Sequence, residues 1–220
     1  FLFPAEDAED AAKWVQDLVA QRIPETFGLD SIDDIQVLVP LYRGAAGVDA
    51  MNTVLQAVLN PPGAKKSEAR LFGQVFRVGD KVMQIRNNYD KGTFNGDIGR
   101  IKVVDRINQS LKISMDDQRV VDYDFSEADE LVLAYAISVH KSQGSEFPAV
   151  VMPVLTQHYI MLQRNLLYTG VTRAKSLCVL VGNPKALRIA INNNQVADRN
   201  SLLDQRISHL VRTASLSDQA

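Results

Sequence analysis

Apolar residues recur at two different spacings along this chain, and the change of spacing predicts where helices and strands lie. Residues 5–22 carry apolar side chains three and four positions apart, which is typical of an amphipathic helix, and Pro24 and Gly28 are expected to end it. Residues 35–39 form a short apolar run, as expected of a strand buried on both faces. After a glycine-rich turn, a second helix is predicted with Asp49 as its N-cap.

The middle of the chain changes to a period of two, which predicts strands in place of helices. An Asn-Pro-Pro-Gly break at residues 60–63 ends the preceding helix and marks a domain boundary. Short alternating runs follow, separated by turns rich in Gly, Asp and Asn: 75–78, 81–85, 99–104, 111–115 and 119–123. Short strands joined by tight turns, with no helix between them, predict a small β-barrel.

Helical and apolar runs return after the predicted barrel. The predicted strands are 132–137, 149–155 and 177–181. The predicted helices are 165–175 and 184–192. Strands that alternate with helices on both sides of a β segment predict an α/β fold, in which one parallel sheet is interrupted by an insertion. We therefore predict a discontinuous parallel-sheet domain, residues 1–70 and 130–220, with a barrel inserted at 71–129.

Composition limits the class of protein. Hydrophobic residues make up 46% and charged residues 23% of the 220 residues, which is ordinary for a globular protein. No apolar run approaches the roughly 18 residues that cross a bilayer, so we expect no membrane partner. The single cysteine, Cys178, lies in an apolar run and is expected to be a small buried residue in a reducing cytoplasm. The three histidines show no metal-ligand spacing, so no metal site is expected.

Positive charge is concentrated in one segment, although the net charge of the chain is −2. Residues 65–112 contain eleven Lys or Arg and five Asp or Glu, which leaves this segment positive and the rest of the chain negative. A basic segment in an acidic chain indicates a local contact with a polyanion. A solvated β-surface would give the same charge pattern.

Two segments carry residue types suited to phosphate chemistry. Residues 138–147 read SVHKSQGSEF. A strand that ends in small polar residues and Gly presents backbone N–H groups at the carboxyl edge of a parallel sheet, where ligands bind. The polar side chains of this segment offer donors for phosphate oxygens, and Glu146 can accept from a ribose hydroxyl. Residues 166–175 read LLYTGVTRAK, which places Arg173 near the end of a helix, where a guanidinium can reach across a cleft toward a γ-phosphate.

Together these two segments resemble motifs V and VI of superfamily 1 helicases, in the wording of the RecD-like branch. Residues 37–44, VLVPLYRG, are similar to motif IV, and the predicted barrel lies where that family inserts an SH3-like module. The resemblance implies a RecA-like second motor domain in which Arg43 and Arg173 approach the γ-phosphate, although either arginine could instead form a local ion pair. It also implies nucleotide contacts at Gly144 and Glu146. It further implies that a set of polar side chains contacts single-stranded DNA: Ser138, His140, Lys141, Ser142 and Gln143.

The basic residues of the insertion are a second candidate for a nucleic-acid contact. Positive side chains with an occasional aromatic ring suit single-stranded nucleic acid, through phosphate attraction and base stacking. The candidate DNA contacts are cations on the predicted strands and turns: Lys81, Arg86, Lys91, Arg100 and Lys102. Tyr89 and Phe94 lie in one predicted loop among them. Alternatively, these rings close the barrel and the charges only keep its surface soluble.

The sequence contains no glycine-rich loop of the kind that cradles nucleotide phosphates, Gly-x-x-x-x-Gly-Lys followed by Ser or Thr. Its one Asp-Glu pair, Asp129-Glu130, follows an acidic stretch and does not end an apolar strand. We therefore expect this chain to form half of an ATP site. ATP and Mg²⁺ are expected to bind on an N-terminal motor domain that precedes Phe1, with no cofactor bound tightly to this chain and no ATP hydrolysis by it alone.

The most concrete hypothesis is an ATP-dependent DNA helicase of the cytoplasm that moves along single-stranded DNA, 5′ to 3′ by the resemblance. Two alternatives remain open at this point. One is a stand-alone nucleic-acid-binding module without motor activity, and the other is the helicase segment of a conjugative relaxase. A phosphate-binding loop before Phe1 would favour a motor, whereas an unrelated preceding sequence would favour the module.

Overall fold

A computed structural model of the chain describes residues 1–194. The chain forms a five-stranded parallel sheet covered by helices, with antiparallel strands inserted between its second and third strands in sequence. The elements before the insertion are β1 (Leu2–Pro4), α1 (Ala8–Asp17), a π-helical turn (Leu18–Arg22), α2 (Ile23–Phe27), β2 (Ile35–Val39) and α3 (Val48–Leu59). The inserted elements are β3 (Glu68–Leu71), β4 (Gln74–Arg77), β5 (Lys81–Gln84), β6 (Ile98–Asp105), β7 (Ser110–Met115), β8 (Val120–Asp124), a 3-10 turn (Phe125–Glu130) and β9 (Leu131–Leu133). The remaining elements are β10 (Ala136–Ser138), a 3-10 turn (Val139–Ser142), β11 (Phe147–Val154), a 3-10 turn (Thr156–Met161), α4 (Arg164–Val171), β12 (Ala174–Gly182) and α5 (Pro184–Asn192).

The parallel sheet has the strand order β1-β12-β11-β2-β10, and helices cover both of its faces. α1 and α3 pack on one face, while α4, α5 and the Val139–Ser142 turn pack on the other. Burial on both faces explains why β2 reads as a nearly continuous apolar run, since all of its residues are buried. A parallel sheet between two helical layers confirms the predicted α/β fold class.

The first helical segment runs further than its sequence pattern predicts. Pro24 does not end it, because Pro24 lies in the first turn of α2, where a missing N–H needs no acceptor. The segment ends at Gly28, whose φ of +68° forms a left-handed cap and whose N–H donates to the Pro24 carbonyl at 2.9 Å. The predicted N-cap of α3 was also wrong, since Gly47 occupies that position and Asp49 lies inside the helix.

The predicted helix at residues 165–175 is shorter in the structure because its last residues join the sheet. α4 ends at Val171, and β12 begins at Ala174, which pairs with Phe147 of β11. Arg173 therefore lies in the turn between helix and strand, beside the start of β11, and not in the helix as predicted.

The inserted strands form an open sheet, and no closed barrel is found among residues 1–194. Its order is β8-β7-β6-β5-β9, and β3 and β4 form a separate hairpin. The predicted strand 132–137 is two strands, because β9 pairs with β5 in the inserted sheet whereas β10 pairs with β2 in the parallel sheet. The chain passes from one sheet to the other at residues 134–135. The proposed domain boundaries near residues 70 and 130 stay a prediction.

A fully buried carboxylate, Asp80, joins the insertion to the parallel-sheet part of the chain. It accepts hydrogen bonds from Gln56 Nε2 of α3 and from Nδ2 of Asn60, the C-cap of α3, both at 2.7 Å. The Arg77 backbone N–H donates to it at 2.7 Å and the Tyr135 hydroxyl at 2.8 Å. Four donors compensate a buried charge that would otherwise be costly. This Asp80 hub therefore fixes the insertion against α3.

Asn52, further toward the start of α3, holds β10 in the parallel sheet. Its Nδ2 donates to the Ala136 carbonyl at 2.8 Å, and its Oδ1 accepts from the Ala136 N–H at 2.9 Å. Asn52 and Gln56 thus lie on one face of α3, and Asn60, the C-cap that follows the helix, extends this row of amides. Their spacing of four residues was a sequence signal for a buried polar face, and sequence reasoning missed it.

Cys178 is free and half-buried, so it is less enclosed than predicted, and burial raises the pKa of its thiol. Among the helices that the structure describes, none combines the length and the apolar character needed to cross a membrane.

Candidate functional site

The residues predicted to form one site lie at two opposite edges of the parallel sheet. Ser138 ends β10, and Arg43 lies in the loop after the C-terminal end of β2. Glu146 and Arg173 instead precede the N-terminal ends of β11 and β12. The strands run in the same direction, and the eight residues of β11 span about 23 Å, so the two edges are separate places. We name the two places by their residues: the C-edge, 40–47 and 138–142, and the N-edge, 144–147 and 173. Segment 138–147 runs across the face of the sheet from the first to the second, and where the two meet the Ser145 N–H donates to the Ser142 carbonyl at 3.1 Å.

At the N-edge, neutral oxygens orient the Arg173 guanidinium. Its Nε donates to the Thr169 carbonyl at 3.2 Å, its Nη1 to the Ser145 carbonyl at 3.0 Å and its Nη2 to the Thr172 hydroxyl at 3.2 Å. The Arg173 carbonyl accepts from the Phe147 N–H at 2.8 Å. Within the described chain, no carboxylate forms an ion pair with Arg173. The guanidinium is therefore oriented without being neutralised, which leaves its charge available to an anion.

The loop that contacts Arg173 turns sharply at Gly144. The φ of Gly144 is +89°, a conformation that glycine adopts without steric cost. Glu146 is exposed and lines an open cleft of about 480 Å³ between this loop and the inserted sheet. The structure thus places Gly144 and Glu146 on the loop whose Ser145 carbonyl accepts from Arg173, and the contact of these residues with a nucleotide stays a prediction.

Lys81 lines the same cleft, but it is buried, which contradicts its predicted contact with DNA. Its Nζ donates to the Ile32 carbonyl at 2.8 Å and lies 5.7 Å from the centre of the Phe147 ring. Burial lowers the pKa of the Lys81 ammonium from 10.5 to about 8. A side chain that is 6% exposed and bonded to a backbone carbonyl is held away from a surface phosphate. Lys81 instead ties β5 to the parallel-sheet part of the chain.

At the C-edge, Ser138 and Ser142 have structural partners. The Ser138 hydroxyl accepts from the Tyr42 hydroxyl at 3.3 Å and from the Lys141 N–H at 3.4 Å. Ser142 is fully buried, and its hydroxyl donates to the Val139 carbonyl at 2.7 Å. The Ser142 hydroxyl therefore stabilises its own turn, and its burial contradicts the predicted contact with DNA.

The other polar side chains of the Val139–Ser142 turn and its neighbour face solvent or the insertion. His140 and Gln143 are exposed and line a hollow of about 340 Å³ beside α4. Lys141 is half-buried, and its Nζ donates to Asn95 Oδ1 in an inserted loop at 2.5 Å. The structure thus connects the segment predicted to bind DNA with the loop that carries Phe94.

Arg43 lies at the C-edge, so the structure contradicts its predicted place beside Arg173. It is exposed in a loop that Gly47 closes. A Cβ at Gly47 would lie 2.5 Å from the Tyr42 carbonyl oxygen and 2.6 Å from the Arg43 carbonyl carbon, so the loop requires glycine there. The role of Arg43 was predicted from a short resemblance to motif IV. A resemblance of this kind does not indicate at which end of the strands the loop lies.

Most of the predicted DNA contacts on the insertion are engaged in ion pairs. Arg86 pairs with Asp129 at 2.8 Å, Lys91 with Glu127 at 3.1 Å and Arg100 with Asp33 at 2.7 Å. Lys102 is exposed. Local carboxylates thus offset much of the positive charge that the sequence concentrates here, which favours the solvated-surface interpretation for these residues.

Two aromatic side chains of the insertion are accessible on its surface. Tyr89 and Phe94 are 78% and 47% exposed, and their ring centroids lie 6.1 Å apart in an edge-to-face arrangement. They do not fill the interior of the inserted sheet, which contradicts the alternative that they close a barrel.

Comparison with known proteins gives matches for both parts of the chain. A family model described as the SH3 domain of ATP-dependent RecD-like DNA helicases matches residues 51–115, and one described as the UvrD-like helicase C-terminal domain matches residues 133–181. The ATP-dependent RecD2 DNA helicase of Deinococcus radiodurans is 34% identical over 176 residues, which are 80% of this chain and 24% of that protein. The RecBCD enzyme subunit RecD of Mycolicibacterium smegmatis is 30% identical over 168 residues, 76% of this chain and 28% of that protein.

A solved structure resembles the fold. It is the Pif1 helicase from Bacteroides in complex with ADP-AlF3 and ssDNA, with a TM-score of 0.51, 16% identity, and coverage of 91% of this chain and 50% of that chain. At this identity the likeness concerns the fold alone.

The parallel sheet with its inserted β module, together with the two helicase family models that match this chain, defines a RecA-like helicase fold. The chain belongs to the RecD-like family of superfamily 1 helicases. It spans about a quarter of the length of the curated relatives that it matches.

Proposed function

We propose that this chain acts as the second motor domain of an ATP-dependent DNA helicase. In this proposal Arg173 acts on the γ-phosphate of an ATP held by a neighbouring motor domain, and the C-edge contacts single-stranded DNA. The observation that carries the proposal is the environment of the Arg173 guanidinium. Three neutral oxygens accept its hydrogen bonds and fix its orientation, and no carboxylate of the described residues forms an ion pair with it.

An arginine held in this way contributes to phosphoryl transfer through charge. Its guanidinium offsets the negative charge that develops around the γ-phosphate, and arginines in such positions contribute about 10³ to 10⁵ in rate. Glu146, exposed on the loop whose Ser145 carbonyl accepts from Arg173, would accept from a ribose hydroxyl. Mg²⁺ would neutralise part of the phosphate charge when it is bound with ATP. We assign no nucleotide contact to Arg43, because it lies at the other edge of the sheet.

The separation of the two edges suggests how nucleotide and DNA are coupled. The N-edge closes on nucleotide when the two motor domains approach each other, and it opens after hydrolysis. The same rigid sheet carries the C-edge, so each closure displaces the His140–Lys141 segment relative to the neighbouring domain and moves a bound strand. Movement from 5′ to 3′ is the direction expected from the family resemblance.

The test compares Arg173→Ala and Arg173→Lys with Arg164→Ala. Arg164 is the matched control, because it begins α4, the helix that precedes Arg173, but its Nε donates to the Ile191 carbonyl at 2.7 Å, away from the N-edge. DNA-stimulated ATP hydrolysis and the affinity for oligo(dT) are both measured in the full-length protein, which includes the neighbouring motor domain that holds ATP in this proposal. We expect Arg173→Ala to lower hydrolysis by about 10³ or more with little change in DNA affinity, and Arg173→Lys to recover only part of it. Near-normal hydrolysis by Arg173→Ala would remove the assignment.

A further inference from the structure

The β3–β4 hairpin ends in a turn that is unfavourable for the residue it contains. Leu71 pairs with Gln74, so the turn consists of Phe72 and Gly73 alone, with φ values of +48° and +83°. Two-residue turns with both φ values positive are usually built from Asn-Gly or Gly-Gly. A bulky side chain in the left-handed region is an outlier, and such outliers concentrate at functional sites.

The ring of Phe72 is also exposed to solvent. It is 66% exposed at the hairpin tip, so the contact of its apolar ring with water costs free energy in addition to the strain of its backbone. Gln109 and Gln118, the other residues with positive φ that are not glycine in the described chain, also lie in hairpin turns, but both are polar. The combination of an aromatic ring and a left-handed backbone is therefore specific to Phe72 in this part of the protein.

Phe72 lines a groove of about 830 Å³ that runs along α3. Tyr42, 52% exposed, lines the same groove near the start of α3, where its carbonyl accepts from the Asp49 N–H. The hairpin lies further along α3, where Gln56 Nε2 donates to the Val75 carbonyl at 2.9 Å. The seven residue steps from Asp49 to Gln56 span about 10 Å of helix, which corresponds to about three stacked bases at 3.4 Å each.

The charge of the groove wall matches a nucleic acid. Arg70 lines the groove next to the hairpin tip and Lys141 lines it at the C-edge end, and these two cations outnumber the Asp49 carboxylate, which also lines the groove. Lys141 also belongs to the segment that the proposed function assigns to single-stranded DNA. A positive wall with aromatic rings at both ends is the arrangement that holds single strands, through phosphate attraction and base stacking.

We propose that Phe72 is a base-stacking residue, and that the groove between Phe72 and Tyr42 holds a short stretch of single-stranded DNA continuous with the C-edge. This proposal rests on the proposed function for the nature of the strand. It adds a binding residue on the hairpin and a path along α3. The strained turn presents the ring to the strand in a fixed direction, since the hairpin is anchored to α3 by Gln56.

The test uses a substitution that should stabilise the fold and weaken the binding of DNA. Phe72→Asn relieves the backbone strain, so we expect the melting temperature to rise by about 2–4 °C. The same change removes the ring, so we expect the Kd for fluorescein-labelled oligo(dT), measured by anisotropy, to rise about fivefold or more. Phe72→Trp keeps a stacking surface and should retain the affinity. Gln109→Asn is the matched control, because it changes an equivalent turn residue without loss of a ring and should leave the Kd unchanged.

The outcomes separate this proposal from the proposed function. If Phe72→Asn binds oligo(dT) like the unmodified protein while Lys141→Ala weakens binding, Phe72 is not a stacking residue and the C-edge assignment stands. If the unmodified protein does not bind oligo(dT), both the DNA contact at the C-edge and the groove proposal fail. A rise in Kd for Phe72→Asn together with a lower melting temperature would also overturn the proposal, because the loss would then follow from damage to the hairpin.

Discussion

Removal of one hydroxyl group from the Asp80 hub should destabilise the whole chain measurably. Tyr135→Phe leaves the ring in place and deletes the donor that lies 2.8 Å from Asp80 Oδ1. Burial, and next the neighbouring Asp80 carboxylate, raise the pKa of the Tyr135 hydroxyl, so it remains a protonated donor at neutral pH. Because a hydrogen bond to a charged acceptor contributes about 1.5–3 kcal/mol, we expect the free energy of unfolding to fall by that amount. The melting temperature should fall by about 3–12 °C for a chain of this size.

The control is Tyr42→Phe, which deletes a hydroxyl of the same chemistry in a weaker setting. Tyr42 donates to the neutral Ser138 hydroxyl at 3.3 Å and is 52% exposed, so its loss should change the free energy of unfolding by less than about 0.5 kcal/mol. Both variants are unfolded in urea and followed by circular dichroism and intrinsic fluorescence. Equal effects of Tyr135→Phe and Tyr42→Phe would refute the reasoning that the buried carboxylate makes the Tyr135 bond strong.

Two further predictions concern the C-edge loop and the buried lysine. Gly47→Ala would place a Cβ 2.5 Å from the Tyr42 carbonyl oxygen, so the free energy of unfolding measured in urea should fall by about 1–3 kcal/mol. Gly63→Ala is the control, because the nearest neighbour of its Cβ would lie 4.0 Å away, and it should leave the free energy of unfolding nearly unchanged. The folded pKa of Lys81 is about 8 and its ordinary value is 10.5, so between these values the unfolded chain binds more protons and the free energy of unfolding should rise with pH. In a series of urea titrations at rising pH above 8, Lys81→Met should show a smaller rise than the unmodified protein, and an unchanged rise would exclude Lys81 as its source.

Helices and strands whose own apolar residues follow one clear spacing were predictable from the sequence. Strands whose position depends on the strand they pair with were not. The apolar run at 35–39 and the helix at 184–192 agree with β2 and α5, because each is set by its own pattern. The run at 132–137 is apolar throughout, since both β9 and β10 are buried, and nothing in it indicates that the chain changes sheets in the middle. The β3–β4 hairpin was missed because its turn carries Phe72 where Asn or Gly is the usual signal.

The candidate site shows the same division between local and topological information. The residue types at 144, 146 and 173 indicated a nucleotide site, and the structure brings them together at the N-edge. Arg43 was grouped with them because its motif looked similar, but the edge that a loop occupies depends on the order and direction of strands far apart in sequence. A polar side chain can contact DNA only if it is accessible, and the sequence does not show which polar side chains are buried. Ser142 and Lys81 are polar residues that are buried in the structure.

The pairing of Asn52 with Ala136 has a consequence for how this protein behaves in a crowded solution. β10 is the outermost strand of its sheet, and its outward-facing N–H and C=O at Ala136 would otherwise offer a template on which the strand of another molecule could add. The Asn52 side-chain amide occupies both groups, so the outer side of β10 is already paired at Ala136. Asn52→Leu should therefore promote self-association, because it would leave a short length of unpaired backbone open to a second molecule.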